Sequence, residues 1–141
     1  MAARASAEWK GGIKSGGGTF TAGDSLGGEY SFNSRFEDGP GANPEQLIGA
    51  AHAACFSMAL SLVLDEAGTP VESISTDAKV TIRLLDEGPT ITAIELTAVG
   101  RVPGIDDAAF QEAAAAAKAG CPVSKALTGV PEVTLSATLE A

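Results

Sequence analysis

The spacing of hydrophobic positions changes along the chain, and each change predicts a new element. Over residues 6–37, apolar and polar positions alternate between glycines, as in GTFTAG and GEYSFNSRF, which predicts short strands in a β-meander. Residues 47–64 form one long apolar run, which predicts a helix. Asn43 as N-cap and Pro44 at the first helical position predict its start. The glycine and proline that follow Ala67 predict its end.

The second half of the chain predicts a hairpin, two further helices and a closing strand. STDAKVTIRLL and TITAIELTAVGRV read as long strands that flank the turn DEGP. IDDAAFQEAAAAAKAG reads as a helix, CPVSKALTG as a short helix with Cys121 at its cap, and VPEVTLSATLEA as a strand. This order predicts an α+β fold rather than repeated βαβ units. The length predicts a single domain over residues 1–141.

The long helix is apolar around most of its circumference, and this predicts a dimer. Its large apolar residues do not fall on one stripe: Leu47, Ile48, Phe56, Met58, Leu60, Leu62, Val63 and Leu64. A helix that is apolar all round has to be covered all round. A sheet covers one side, and a second copy across a two-fold axis would cover the other. The alternative cover is the alanine-rich second helix of the same chain.

Composition and charge restrict the partners and the location. The formal net charge is −9, and no run of Lys or Arg reverses it locally, which argues against nucleic acids and anionic membranes as partners. The apolar run approaches membrane-spanning length, but its alanines, His52 and two serines favour a helix of a soluble protein. MAARASAEWKGG lacks the apolar stretch of a secretory signal. We therefore expect a cytoplasmic protein, where a disulfide tends to be catalytic or redox-sensing.

The chain has two cysteines, Cys55 in the long helix and Cys121 at the start of the short one. Two cysteines and one histidine are too few for a typical zinc site, so we expect no metal. His52 precedes Cys55 by three residues and would share a helix face with it, as a Cys–His hydrolase requires. A buried core histidine is the favoured interpretation. A dithiol/disulfide couple is the remaining chemistry.

The surroundings that the sequence predicts for each cysteine do not decide which thiol reacts with substrate. Burial in an apolar helix raises the pKa of a thiol, so a reactive Cys55 needs a cation nearby. Arg35 is the nearest cation upstream, and Glu45 could orient it through a bidentate contact. An ordinary surface salt bridge is the alternative for these two residues. Cys121, at a helix N-terminus, is the better thiolate on local grounds.

Three segments carry a resemblance to a known family: RFEDGPGANPEQLIGAAHAACFSMALSLVLDEAG, VPGID and AKAGCPVSKAL. They resemble the OsmC/Ohr family of thiol peroxidases, specifically its osmotically inducible OsmC branch, from about Trp9 onwards. The resemblance implies a stress-response peroxidase that works as an intertwined homodimer, with central helices between two sheets and active sites at the interface. It implies Cys55 as the peroxide-attacking cysteine, Cys121 as its resolving partner, and Arg35 with Glu45 as the activating pair. Gln46 stands where the family often has a second acid.

The implied reaction needs no cofactor. An organic hydroperoxide would oxidise Cys55 to a sulfenic acid, Cys121 would condense with it to a redox-active disulfide, and an external thiol would reset the pair. The alkyl tail of such a substrate would bind in an apolar slot. Phe36, Phe56 and Met58 are expected to line this slot, although at least one of them is expected to pack in the core instead. The alternative is a non-enzymatic binding module for apolar acyl ligands with inert thiols.

Overall fold

Six strands and four helices make up the part of the chain that the computed structural model describes, residues 1–140. In order they are β1 (Ala5–Lys10), β2 (Gly17–Ala22), β3 (Leu26–Tyr30), α1 (Phe32–Phe36), α2 (Pro44–Glu66), β4 (Ser73–Leu85), β5 (Gly88–Arg101), α3 (Asp107–Gly120), α4 (Pro122–Ala126) and β6 (Glu132–Glu140). The predicted α+β fold is confirmed. The residues group into two compact units, 1–47 and a second that begins at Ile48. Ala141, the end of the predicted last strand, lies outside the described residues.

The first unit contains the predicted meander, with β2 between β1 and β3 in an antiparallel sheet. Its glycines make room for aromatic rings. A side chain at Gly18 would place its Cβ 2.5 Å from the ring of Tyr30. That ring packs between Trp9 and Phe20, with centroid distances of 5.5 and 6.3 Å. The glycine-rich strands therefore form a small aromatic cluster rather than a loose loop.

The strand predicted through residue 37 is wrong, because β3 ends at Tyr30 and α1 follows it. Ser31 caps this helix: its hydroxyl accepts from Ser34 N at 3.0 Å, and Ser34 Oγ accepts from Ser31 N at 2.8 Å. This reciprocal capping box stabilises a helix start. The two phenylalanines that resembled strand alternation, Phe32 and Phe36, are four residues apart and pack ring to ring at 5.1 Å.

The long helix α2 begins and ends as predicted. Asn43 Oδ1 accepts from Gln46 N at 2.8 Å, which is an N-cap bond. At the other end Gly68 has a φ of +80°, the left-handed conformation that glycine adopts at helix ends. From residue 48 on, one stripe is buried and consists of Gly49, His52, Phe56, Leu60 and Leu64. The opposite face is exposed, with Met58 at 76% and Leu62 at 57%.

This exposed face decides against one sequence-based alternative. The alanine-rich helix α3 was the candidate cover for the second side of α2. Met58 and Leu62 remain open to solvent although α3 belongs to the same unit. The core side of α3, with Phe110, packs with the buried residues of β5 instead. Within the described residues, α3 therefore does not complete the cover of α2.

The second sheet has β5 at its centre, antiparallel to β4 and parallel to β6. From Ile94 on, buried and more exposed positions alternate along β5, and Ile94, Leu96 and Ala98 point into the core. Gly100 continues this face, and a Cβ there would lie 2.7 Å from the ring of Phe110. The parallel pair requires a crossover connection, which α3 and α4 provide.

By length and composition α2 could also cross a membrane, a property it shares with core helices of soluble proteins. Its buried stripe has a specific partner in the second unit. A Cβ at Gly49 would lie 3.3 Å from the Val80 side chain on β4. Ser57 Oγ lies 2.8 Å from Thr76 Oγ1 on the same strand. These contacts identify α2 as a helix packed on a sheet.

Candidate active site

The structure brings the two cysteines together. The sulfur atoms of Cys55, on α2, and Cys121, between α3 and α4, are 2.8 Å apart, and both thiols are free. A disulfide bond is about 2.05 Å long, so bond formation requires an approach of about 0.8 Å. The two thiols differ in access: Cys55 is partly exposed, whereas Cys121 is fully buried at 0%. The pair can form a disulfide, and only Cys55 presents surface to a small molecule from solution.

Cys121 lies at the junction of two helices, as the sequence predicts. Its backbone N–H donates to Ala117 O at 2.9 Å, which ends α3. Its sulfur then serves as the N-cap of α4 and accepts from Ser124 N at 3.5 Å, with Pro122 following it. A sulfur in this position faces the free N–H groups of a helix start.

Local contacts shift the pKa values of the two thiols in opposite directions. Burial raises the pKa of Cys55, and its hydrogen bond to Cys121 raises it further. Burial also acts to raise the pKa of Cys121, but donors outweigh it: the Cys55 thiol, the N–H and hydroxyl of Ser124, and the N–H of Val123 together lower that pKa. The surroundings of Cys121 thus favour its thiolate, whereas those of Cys55 favour its thiol. Cys55 needs an additional cation to become the thiolate.

His52 lies on the same helix as Cys55 and is fully buried. Its Nε2 is 2.8 Å from Ser124 Oγ, and among the described residues its Nδ1 has no hydrogen-bond partner. Burial lowers the pKa of His52, and the charge of Lys118 lowers it further, so the ring is neutral near pH 7. The contact to Ser124 agrees with the favoured interpretation of a core histidine rather than a hydrolase base.

Arg35 and Glu45 form a two-pronged ion pair in the first unit. Arg35 Nη2 donates to Glu45 Oε1 at 2.7 Å, and Nε donates to both carboxylate oxygens at 3.1 and 3.2 Å. Glu45 is 8% exposed and Arg35 is 35% exposed, so the pair is more buried than an ordinary surface salt bridge. Within residues 1–140, Arg35 Nη1 has no protein partner. The guanidinium is therefore fixed in orientation and keeps donors for another group.

Ser34 positions this ion pair and was not identified from the sequence. It is 6% exposed, and its hydroxyl donates to Ala42 O at 2.7 Å. Its carbonyl accepts from Asn43 Nδ2 at 3.1 Å, which connects α1 to the cap of α2. Arg35 follows Ser34 directly, and Glu45 lies in the first turn of α2. The signal for this arrangement was the spacing of Ser31 and Ser34 as a capping box.

The three residues predicted to line an apolar slot have different environments. Phe36 is partly buried, and its ring centroid lies 5.4 Å from Arg35 Cζ. Phe56 is fully buried in the hydrophobic core of the second unit, which is the packing role expected for at least one of the three. Met58 is exposed. Contact of Phe36 and Met58 with a substrate stays a prediction.

Comparisons with known proteins identify the family. The family model described as OsmC-like protein matches residues 37–136. The chain belongs to the OsmC-like family. A curated relative from Escherichia coli K12, named Peroxiredoxin OsmC, is 50% identical over 136 residues, which are 95% of this chain and 94% of that protein. The relative named organic hydroperoxide resistance protein OhrB, from Bacillus subtilis 168, is 36% identical over 73% of this chain and 74% of its own.

A solved structure supports the same assignment at the level of the fold. The organic hydroperoxide resistance protein of Elizabethkingia anophelis has a TM-score of 0.77 and 28% identity, and each chain is 99% covered. The OsmC-like fold and the resemblance read from the cysteine segments are thus confirmed. The match to the OsmC-like family includes Glu45 and both cysteines, and it begins two residues after Arg35.

Proposed function

We propose that this OsmC-like protein reduces organic hydroperoxides to alcohols with Cys55 as the attacking thiolate and Cys121 as the resolving thiol. The protein is a thiol-dependent peroxidase: one relative at 50% identity is named a peroxiredoxin, and others are named for organic hydroperoxide resistance. The observation that carries the assignment of roles is the 2.8 Å sulfur pair with one accessible and one buried member. A non-enzymatic acyl-binding module does not require such a pair.

The reaction balances with these two thiols and an external reductant. The Cys55 thiolate attacks the distal peroxide oxygen and the O–O bond breaks, giving a sulfenic acid and an alkoxide that takes up a proton. The Cys121 thiolate then attacks the Cys55 sulfur, the S–O bond breaks, and hydroxide leaves and is protonated to water. An external thiol reduces the disulfide through a mixed disulfide and restores both thiols.

Access, rather than local pKa, supports Cys55 as the attacking residue. Cys121 is the better thiolate in its immediate surroundings, but its sulfur is fully buried. A buried thiolate beside an accessible thiol suits the second step, because its target is formed 2.8 Å away. The first step needs the thiolate on Cys55, although burial and the contact to Cys121 raise the pKa of that thiol. We assign the stabilisation of this thiolate to Arg35, oriented by Glu45, as the family resemblance implies.

The Cys121→Ser variant tests the two roles. We expect its first reaction with one equivalent of hydroperoxide to proceed, and its turnover to stop, because no thiol remains to condense with oxidised Cys55. Sulfenic acid should accumulate on Cys55, be trapped by dimedone, and overoxidise with excess peroxide. Mass spectrometry of peptides locates the adduct. A dimedone adduct absent from Cys55, or unimpaired turnover, contradicts the resolving role.

We also propose that the protein is a homodimer that covers the exposed face of α2. Met58 and Leu62 mark an apolar helix face open to solvent in the single chain. Exposed alanines at positions 50, 51 and 54 lie on the same side and would allow close approach of a second helix. Such a helix face is normally covered. The intertwined arrangement and its interfacial active sites come from the family resemblance. The proposed location remains the cytoplasm, where external thiols are available.

Light scattering at micromolar concentration tests this proposal. We expect a mass of about twice 14.1 kDa for the wild type. Met58→Asp should shift the protein toward monomer, because a charge would be buried against the partner helix. Ala116→Asp, at an exposed position of α3, is the matched control and should leave the dimer intact. A wild type that runs as a clean monomer contradicts the proposal.

A further inference from the structure

His52 is connected to the resolving thiol through one serine. Its Nε2 lies 2.8 Å from Ser124 Oγ, and Ser124 N lies 3.5 Å from Cys121 Sγ. Seventy-two residues separate His52 from Ser124, so the bond ties α2 to the start of α4. Together with the contact between the sulfur atoms of Cys121 and Cys55, it joins α2 to the start of α4 at two points. The peroxidase cycle described above gives His52 no role.

The unpartnered Nδ1 of His52 indicates which nitrogen carries the proton. The ring is fully buried, and among residues 1–140 Nδ1 has no hydrogen-bond partner. A buried N–H without an acceptor is rarer than a buried acceptor without a donor. The hydrogen therefore resides on Nε2, which donates to Ser124 Oγ. Ser124 then accepts from His52, and its own hydroxyl hydrogen is free for another acceptor.

We propose that His52 is a positioning residue for the resolving step: it holds the Ser124 side chain, so that the backbone N–H of Ser124 stays on Cys121 Sγ and stabilises the thiolate. The inference rests on the proposed function, in which this thiolate attacks the sulfenic acid of Cys55. His52 touches neither peroxide nor the reacting sulfurs. It acts through Ser124, and it supplies no proton in the step.

The charges around this group agree with a neutral histidine. Burial and the charge of Lys118 on α3 both lower the pKa of His52, which disfavours a cationic ring that would orient Ser124 differently. The N–H and the hydroxyl of Ser124 both lower the pKa of Cys121. Among residues 1–140, the other titratable group in contact with Cys121 is Cys55 on α2, with 2.8 Å between the two sulfur atoms.

The test measures the pKa of Cys121 without any peroxide. In a Cys55→Ser background, which keeps a hydroxyl donor beside Cys121 and leaves it as the one cysteine of the chain, the pH dependence of the ultraviolet thiolate absorbance reports the Cys121 thiolate. We expect His52→Leu and Ser124→Ala each to raise the apparent pKa by about one unit. Combining them should add little, since both remove the same support. In His52→Gln the terminal amide can still donate to Ser124, so the apparent pKa of Cys121 should return most of the way to the wild-type value.

Ser57→Ala is the matched control, because it removes a hydroxyl of the same size that pairs with Thr76 and not with Cys121. We expect an unchanged Cys121 pKa in this variant. The Ser124→Ala variant alters a half-buried position and keeps the test valid if His52→Leu does not fold. An apparent pKa that does not change in Ser124→Ala overturns the proposal, whether or not the protein is a peroxidase.

Single-turnover kinetics in the wild-type cysteine background supply the second readout. One pKa unit lowers the thiolate fraction about tenfold, and the higher nucleophilicity of the more basic thiolate returns about threefold. At a pH below both pKa values, disulfide formation should thus slow about threefold in His52→Leu, while the sulfenic acid of Cys55 forms at the wild-type rate. The deficit should disappear at a pH above the raised pKa. Slowing that is equal at every pH indicates a purely structural role and contradicts the inference.

Discussion

Cys55→Ser is expected to reduce hydroperoxide turnover to the uncatalysed background. A serine hydroxyl is a weak nucleophile unless a base activates it. The imidazole of His52 is hydrogen-bonded to Ser124 and therefore does not serve as that base. The substitution exchanges a single atom at a partly exposed position, so fold and oligomeric state should remain those of the wild type. The measurement is consumption of an alkyl hydroperoxide in the presence of a small dithiol, with dimer mass as the control for folding.

The opposite result would assign attack to Cys121. Turnover near wild type in Cys55→Ser would mean that the thiol with the lower pKa reacts in spite of its burial. The choice between access and acidity is therefore decided by one variant. We expect access to prevail, because a hydroperoxide has to reach the sulfur before either thiolate can react.

Arg35→Ala and Arg35→Lys are both expected to lose most peroxidase activity while the protein stays folded. Burial and the hydrogen bond to Cys121 raise the pKa of Cys55, so a cation has to offset that cost. Each pKa unit corresponds to about 1.4 kcal/mol. Lowering the pKa of a thiol from above ~8.5 to below neutrality therefore requires a stabilisation of the thiolate on the order of 2–4 kcal/mol. Lysine is a poor substitute, because only the planar guanidinium can hold Glu45 and face a second group at once.

The direct readout is the pH dependence of Cys55 alkylation in a Cys121→Ser background. The reactive thiolate is present above its pKa and is lost as pH falls through it, so removing Arg35 should move the whole profile to higher pH. Glu45→Ala should shift it less, since Glu45 orients the cation and does not supply the charge. Arg101→Ala is the matched control, because Arg101 also pairs with a glutamate, Glu140, at 2.7 Å. An identical Cys55 pKa with and without Arg35 contradicts this activation mechanism.

The elements with strong local signals were predictable from sequence. Helix α2 has its cap at Asn43 and its end at Gly68 because capping and left-handed glycine are decided within a few residues. The cap at Cys121 follows the same logic. Helix α1 was missed because two phenylalanines spaced by four also fit the alternation of a strand, and the deciding bonds lie between Ser31 and Ser34. The parallel pairing of β6 with β5 depends on long-range packing, which no local pattern reports.

The candidate site shows a similar division. Residue type and family resemblance pointed to the cysteines and to Arg35 with Glu45. The different access of the two thiols was not predictable, because it depends on how α4 packs against α2. The bond between His52 and Ser124 joins positions 72 residues apart, and nothing in either segment signals the other. Sequence thus pointed to the candidate reacting groups, whereas their access and their supporting contacts required the fold.

The most direct test of the thiol mechanism is the intact mass of the reduced wild type after one equivalent of an alkyl hydroperoxide. Oxidation to a disulfide between Cys55 and Cys121 removes two hydrogens, so the chain should become lighter by about 2 mass units and lose both alkylatable thiols. Denaturing, non-reducing conditions establish that the bond lies within one chain, and peptide mapping locates it. A mass that does not change, with both thiols still free, would contradict the account and favour a binding module with inert cysteines.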